Sequence, residues 1–389
     1  MNLAERMNRL GTETAFEVLA KAKALEAQGK EIIHLEIGEP DFDTPKNICD
    51  AAVKALRGGY THYNPSAGYP EIRKIISDEI NKTRGLKTNP EQVVITPGAK
   101  PIMFFTILAT VDKGDEVIYP NPGFPIYESL INFIGAKAVA VPLREENDFR
   151  MDVEELKTLV TPKTKLMIIN SPQNPTGGVL THEDLEEISR IAVENDIWIL
   201  SDEIYSRTIY EAKFESVTQF PHVPERTIIL DGMSKTYAMT GWRLGYGVME
   251  EKLAAHIARL QTNSNSCVSA FSQMAIGEAI TGPQDESAKM VAEFKRRRDV
   301  IVEGLNKIEG ISCKKPLGAF YVFPNITELG LKSKKLEEYF LENYGVAGLA
   351  GTSFGAYGEG YLRFSYANSV ENIKKALSWI EKGVADLKK

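Results

Sequence analysis

Four side chains of types that do chemistry stand just beyond apolar runs: Asn174, Asp202, Tyr205 and Lys235. Lys235 lies in LDGMSKTYAMTGWRLGYG, after a β-branched run (227–230) that reads as a buried strand of a parallel sheet and breaks at Asp231-Gly232. A lysine on a chain of this kind is normally a solvated surface charge. Just past a buried strand, however, it sits where open α/β sheets place their ligands, and an amine held out of water can serve as nucleophile or base. The stretches IWILSDEIY (197–205) and KLMIINSPQNPTGG (165–178) have the same form, an apolar strand ending abruptly in polar residues. Strand ends of this kind bring an amine, a carboxylate, a phenol and an amide to one edge of a sheet, which core packing does not explain.

The elements that must position these groups alternate along the chain. Residues 16–28 have helical spacing and stop at Gly29; 31–38 read as a strand entering a Gly-Glu-Pro turn; 46–56 read as a helix. An aromatic loop from Tyr60 becomes an amphipathic helix that ends near Ile80. Residues 92–111 read as strand, glycine turn and helix. Backbone N–H groups at such a helix start form an anion site that needs no particular side chain, so Ala99 and Lys100 can hold a phosphate through their amides. Residues 115–143 read as strand, aromatic turn, helix and strand, with Phe124 in the turn, where its plain reading is core. Helices follow at 153–160 and 183–195, and 254–279 is largely helical apart from the polar stretch QTNSNSC. The helix 288–308 carries a basic run, Lys295 to Arg298, which reads as a solvated face. The last unit alternates strand and helix (318–326, 333–345, 360–367 and 369–387), and its strand GYLRFSYA contains Arg363. An arginine inside an apolar strand is costly without an anion, either an internal carboxylate or a bound one.

At 389 residues the chain can bury a large core divided into two or three compact units. A net charge of −7 argues against a surface for nucleic-acid phosphates and leaves small-molecule chemistry as the better class. Three scattered cysteines, Cys49, Cys267 and Cys313, fit reduced buried thiols, and no pair among five dispersed histidines has metal-ligand spacing, so no metal site is expected. The charged start and the lack of an apolar run of membrane-spanning length imply a cytoplasmic protein without a membrane partner.

Taken together, NPTG, SDEIY and SKTYAMTGWRLGY resemble the pyridoxal-phosphate-dependent aminotransferases of fold type I, class I/II, of the aspartate aminotransferase kind. The resemblance implies an α/β fold: a large domain (48–279) with a mostly parallel seven-stranded sheet flanked by helices, and a smaller α+β domain built from both chain ends (1–47 and 280–389). Lys235 would bond the cofactor pyridoxal 5'-phosphate and move the substrate proton, and Asp202 would pair with the ring nitrogen in place of merely capping its loop. Asn174 and Tyr205 would donate to the ring's phenolic oxygen, Phe124 would stack on the ring, and Ala99, Lys100, Ser234 and Arg243 would hold the phosphate. Tyr63, otherwise packed surface, would cross a homodimer interface to the neighbouring subunit's phosphate; Gly38, otherwise a turn glycine, would lie beside the substrate. Asn174 would also touch the substrate, and Arg363 would fork onto its α-carboxylate.

The activity implied is transfer of an L-amino acid's amino group, aspartate or glutamate first, to a 2-oxo acid such as 2-oxoglutarate. Lys100 stands where some aspartate-type members carry a lysine that reaches a side-chain carboxylate. Glu13 and the apolar Phe16 depart from that pattern: if Glu13 folds over the site it pairs with Lys100, which favours alanine or aromatic donors. Carbon–sulfur lyases share nearly the same constellation. A pyridoxal-phosphate-binding transcription regulator would need a basic DNA-binding segment, and nothing before Gly38 has that character.

Overall fold

The computed structural model describes residues 3–387. The strands, in chain order, are β1 (Ile33–His34), β2 (Val93–Pro97), β3 (Glu116–Asn121), β4 (Lys137–Pro142), β5 (Thr164–Asn170), β6 (Trp198–Asp202), β7 (Thr227–Gly232), β8 (Leu244–Val248), β9 (Tyr321–Val322), β10 (Val346–Ala347), β11 (Leu349–Ala350) and β12 (Leu362–Ser365). Seven of them form one sheet in the order β2-β8-β7-β6-β5-β3-β4. β8 runs antiparallel to both of its neighbours, and the other pairings are parallel.

Side chains alternate across this sheet, so its apolar strands feed two faces. Leu166, Ile168, Leu200 and Leu230 pack with Ile102, Ile107 and Ile257 on one face. Met167, Ile169 and Ile199 pack with Leu185, Ile188 and Ile191 on the other. Where that second face reaches β7 and β8, the helix Pro70–Arg84 covers it through Ile72, Ile76 and Ile80 against Ile229 and Val248.

Strand direction and register position the site. β3 leads outward to β4 while β5, β6 and β7 step the opposite way, so the carboxyl ends of β3 and β5 flank a reversal of strand order, where open sheets leave a crevice. The parallel register Asn170↔Asp202↔Leu230 sets the ends of β5, β6 and β7 level. The chain ends meet elsewhere: β1 pairs with β10, the Ser365 amide donates to the Leu35 carbonyl at 2.7 Å, and β11, β12 and β9 form a small antiparallel sheet. Ile33 and Leu35 share a core cluster with Phe294, Phe320, Ile373 and Ile380, joining the two termini in one apolar mass.

Several local expectations need correction. The strand read at 31–38 is only Ile33–His34, because the chain then turns into the crevice. Most of the polar stretch QTNSNSC is helical: the helix Glu251–Asn265 runs through it, and the break comes at Ser266, which adopts φ 64°. The basic run 295–298 is a solvated face only in its first half: Lys295 and Arg296 are exposed, whereas Arg297 and Arg298 turn inward. In the helix Asp285–Leu305, Phe294, Arg298 and Ile301 recur at helical spacing on the inward side. Arg298 is fully buried, bonds Glu211 at 2.6 Å and 2.8 Å, and lies 4.5 Å from the Tyr210 ring centroid. Arg297 is also buried and pairs with Asp41 at 2.7 Å. Cys313 is a buried thiol, whereas Cys49 and Cys267 are partly exposed. Among the described residues, no helix is long and apolar enough to cross a membrane, and no group of histidine, cysteine or acidic side chains could hold a metal ion.

Candidate active site

A cavity of about 910 Å³ opens at the carboxyl ends of the strands. Asn174, Asp202, Tyr205, Ser234, Lys235, Arg243 and Arg363 line it, as do Gly38, Ala99, Lys100 and Phe124. Tyr63 does not; it is 91% exposed and borders a separate surface groove with Tyr60, His62 and Phe271.

Lys235 sits on the short helical turn Met233–Thr236 that follows β7. Its Nζ donates to the Gly38 carbonyl at 2.5 Å and makes no ion pair among the described residues. Desolvation lowers the amine to about 8; Glu39 acts against the shift, while Arg363 and Arg243 reinforce it. Gly38 is more than a turn residue, since a Cβ at this position would collide with the Tyr321 hydroxyl.

Asp202 closes β6. Its Oδ2 accepts the Tyr127 hydroxyl at 2.5 Å and its Oδ1 the Ile204 amide at 3.3 Å, and no lysine or arginine pairs with it among the described residues. Burial pushes this carboxyl above the ordinary range to about 6, against the two hydrogen bonds that hold the value down. Desolvation also raises the Tyr205 phenol well above its usual value, so it stays a donor at neutral pH; its hydroxyl lies 2.7 Å from that of Tyr321.

Arg363, on β12, is buried and has no carboxylate partner among the described residues. Nη1 donates to Asn174 Oδ1 at 3.1 Å, Nη2 donates to the Glu36 carbonyl, and Nε has no partner. The guanidinium lies between the rings of Tyr321 and Phe354, 4.4 and 4.8 Å from their centroids. The internal ion pair open to it from sequence is not what holds it. Its planar donors, fixed by packing, suit a planar carboxylate in the cavity.

The side of the cavity that carries Arg243 is built by close approach. Gly98 adopts φ 88°, and a Cβ there would strike the Arg243 guanidinium, so the glycine admits the arginine beside the start of the helix Lys100–Thr110. Arg243 Nη1 donates to the Thr240 carbonyl at 2.8 Å. Ser234, Ala99 and Lys100 line the same cavity. The Lys100 side chain, by contrast, contacts Glu13, which does fold over the site, and its Nζ lies 5.3 Å from the Phe124 ring centroid.

Sequence reasoning missed Tyr127, Tyr321 and Asn170. The Asn170 side chain accepts the Asn174 amide at 2.9 Å and donates to the Asp202 carbonyl at 3.0 Å, tying two strand ends together. Tyr127 and Tyr321 sit in apolar runs; the available signal was that a buried tyrosine hydroxyl must find a partner.

The raised Asp202 carboxyl has a measurable consequence. Because its folded value lies above its unfolded one, its contribution to stability is present at low pH and is lost as pH rises from about 4 through about 6. In the ligand-free protein, Asp202→Asn is therefore expected to unfold at higher temperature than the parent above about pH 6, by the equivalent of ~1–3 kcal/mol, with the two converging below about pH 4. Scanning calorimetry across pH checks this; a parent as stable as the variant at neutral pH refutes it.

Comparisons with known proteins agree with this geometry. Residues 30–380 match the model of the family Aminotransferase class I and II. The chain is 41% identical over 392 residues to a probable aspartate/prephenate aminotransferase of Aquifex aeolicus, covering 99% of each chain. It is 39% identical to aromatic-amino-acid aminotransferase 2 of Thermococcus litoralis, covering all of both. The solved aspartate aminotransferase of Thermus thermophilus with maleate superposes with a TM-score of 0.94 at 36% identity, over 98% of this chain and 100% of that one. With its sheet, crevice and sequence in accord, the chain belongs to the class I and II aminotransferases and its activity is the transfer of an amino group.

Proposed function

We propose that the cavity holds pyridoxal 5'-phosphate and that the enzyme moves the amino group of an L-amino acid to a 2-oxo acid. The observation that carries this reading is a set of unmet electrostatic demands around one space. A buried carboxylate without a cation (Asp202), a buried guanidinium without a carboxylate (Arg363) and a half-buried amine that desolvation lowers (Lys235) all line it. A molecule with a protonated ring nitrogen, a phosphate and a reactive aldehyde, joined by an amino acid, meets each demand. Asp202 would hold the ring-nitrogen proton, Asn174 and Tyr205 would donate to the phenolic oxygen, and Phe124 would cover the ring. Ser234, Arg243 and the Ala99 and Lys100 amides would take the phosphate. When bound, the cofactor supplies the electron sink for cleavage at the α-carbon. Arg363 orients the substrate by its α-carboxylate beside Gly38 and Asn174, and the Lys235 Nζ, a base near neutral pH, takes the α-proton.

The chain's division at 48–279, with 1–47 and 280–389 as a second body, fits a cavity walled by both, and the apolar cluster shared by the two termini supports it. Three unpaired thiols fit a reducing cytoplasm.

For the donor we propose aspartate or glutamate, with 2-oxoglutarate or oxaloacetate as acceptor, on the position of Lys100 at the cavity and the relatives of aspartate type. The Glu13–Lys100 contact favours a second reading, alanine or aromatic donors, because a side-chain carboxylate must first displace Glu13. The discriminating measurement is kcat/KM for aspartate, alanine and phenylalanine in the parent, Lys100→Ala and Glu13→Ser. Under the first reading Lys100→Ala lowers the aspartate value about tenfold or more and Glu13→Ser raises it. A parent that prefers alanine or phenylalanine, with Lys100→Ala indifferent to aspartate, establishes the second. Pyruvate and sulfide released from cysteine would instead mark a carbon–sulfur lyase.

We also propose a homodimer with shared sites. Tyr63 is exposed beside Leu56, Tyr60 and Phe271, an apolar surface that a second copy would cover while Tyr63 reaches its phosphate. Mixing Tyr63→Phe with Lys235→Ala subunits is expected to restore activity through heterodimers carrying one site free of both changes. An active monomer in the ultracentrifuge contradicts it.

A further inference from the structure

A second group of buried charges lies directly behind Asp202. Asp202 pairs in register with Leu230, and the Glu203 amide donates to the Leu230 carbonyl at 2.9 Å, so the two strand ends advance together. One residue further along each, Glu203 and Asp231 turn to the face opposite Asp202. There Arg84, the last residue of the helix Pro70–Arg84, bonds both: Nε to Glu203 at 3.0 Å and Nη2 to Asp231 at 3.1 Å. All three are nearly inaccessible to water. Nη1 donates to the Thr83 hydroxyl at 2.9 Å, and the guanidinium lies 4.9 Å from the Phe214 ring centroid. Glu203 Oε1 accepts the Ser201 and Ser216 hydroxyls at 3.0 and 2.5 Å. Asp231 Oδ1 accepts the Gly232 amide at 2.7 Å, which ties the cluster to the turn that carries Ser234 and Lys235.

We propose that Arg84 is a positioning residue for the ring-nitrogen site: by holding Glu203 and Asp231 as one ion cluster behind Asp202, it offsets the like charge that would otherwise keep Asp202 protonated. This rests on the pyridoxal phosphate reading. Around Asp202, the Tyr127 hydroxyl and the Ile204 amide favour its charge, Asp231 and Glu203 oppose it, and the uncharged Tyr205 phenol lies nearby. Beyond Arg84, Arg207 is the other cation acting on Asp231. Arg84 is thus the guanidinium bonded to both carboxylates, with Arg207 acting on Asp231 alone, and losing Arg84 or one carboxylate shifts the field at Asp202.

The test is the affinity of the full-length protein for pyridoxal phosphate, by fluorescence titration between about pH 5 and 9, with the absorption spectrum recorded alongside. The parent's affinity should fall on the acid side as Asp202 takes up a proton, and Asp202→Asn should lack that limb. Arg84→Met removes the guanidinium bonded to both carboxylates, so the limb should move about one unit to higher pH and affinity at neutral pH should fall about tenfold. Glu203→Gln removes one negative charge but keeps an acceptor for the serine hydroxyls, so the limb should move to lower pH. Opposite displacements are what a purely structural role would not produce. A folded Arg84→Met with the parent's limb, or both variants moving the same way, overturns the proposal. If Arg84→Met does not fold, Glu203→Gln decides alone, and a limb unmoved or raised overturns it. A parent that fails to bind pyridoxal phosphate refutes the cofactor reading instead; an Asp202→Asn that keeps the limb assigns it to Asp231, whose carboxyl burial also raises to about 6, and overturns the proposal.

Discussion

Desolvation of charge without an opposite charge to meet it is the constraint on which the rest of this structure depends. Asp202 and Arg363 are buried and Lys235 is half-buried around one cavity, and none forms an ion pair among the described residues. Such groups are costly to fold, and the protein reduces the cost with neutral partners: the Tyr127 hydroxyl for Asp202, the Gly38 carbonyl for Lys235, and Asn174 with two aromatic rings for Arg363. Neutral partners hold geometry without satisfying charge, so the remaining demand is available to a ligand. Stability is exchanged for a site already aimed at its occupant.

The sheet makes that exchange possible. Level ends of β5, β6 and β7 fix Asn170, Asp202 and the turn to Lys235 by backbone register, which no side-chain motion can alter. Arg363 comes from the unit formed by the two chain ends, where β12 lies between β11 and β9. Its Nη2 bond to the Glu36 carbonyl joins it to the N-terminal segment, and its Nη1 bond to Asn174 joins both to the large sheet. The cavity is thus closed by contacts between parts of the chain far apart in sequence.

Much of this was legible before any coordinates. Parallel strands buried on both faces read as unbroken apolar runs, so their abrupt polar ends announced Asn174, Asp202 and Lys235. Arg363 stood out because a charge in an apolar strand demands a reason. Tyr127 and Tyr321 did not, since a tyrosine fits an apolar pattern and hides its hydroxyl's need for a partner. The basic run at 295–298 misled in its second half because consecutive charges resemble a wet face, while the helical period placed Arg298 with Phe294 and Ile301. The reach of Glu13 to Lys100 was foreseen only as a condition; whether residues so far apart in sequence meet depends on the closed fold. Arg84 gave no local signal, because its partners Glu203 and Asp231 lie on two other strand ends.

The half-buried Lys235 amine, among all the lysines of the chain, is the one proposed to bond the cofactor. Borohydride reduction of the protein loaded with pyridoxal phosphate, followed by peptide mass spectrometry, tests this directly. Loss of the yellow absorbance is expected, with the reduced phosphopyridoxyl group on the peptide that contains Lys235 and on no other. A label on a different lysine, or full retention of colour after reduction, would contradict it.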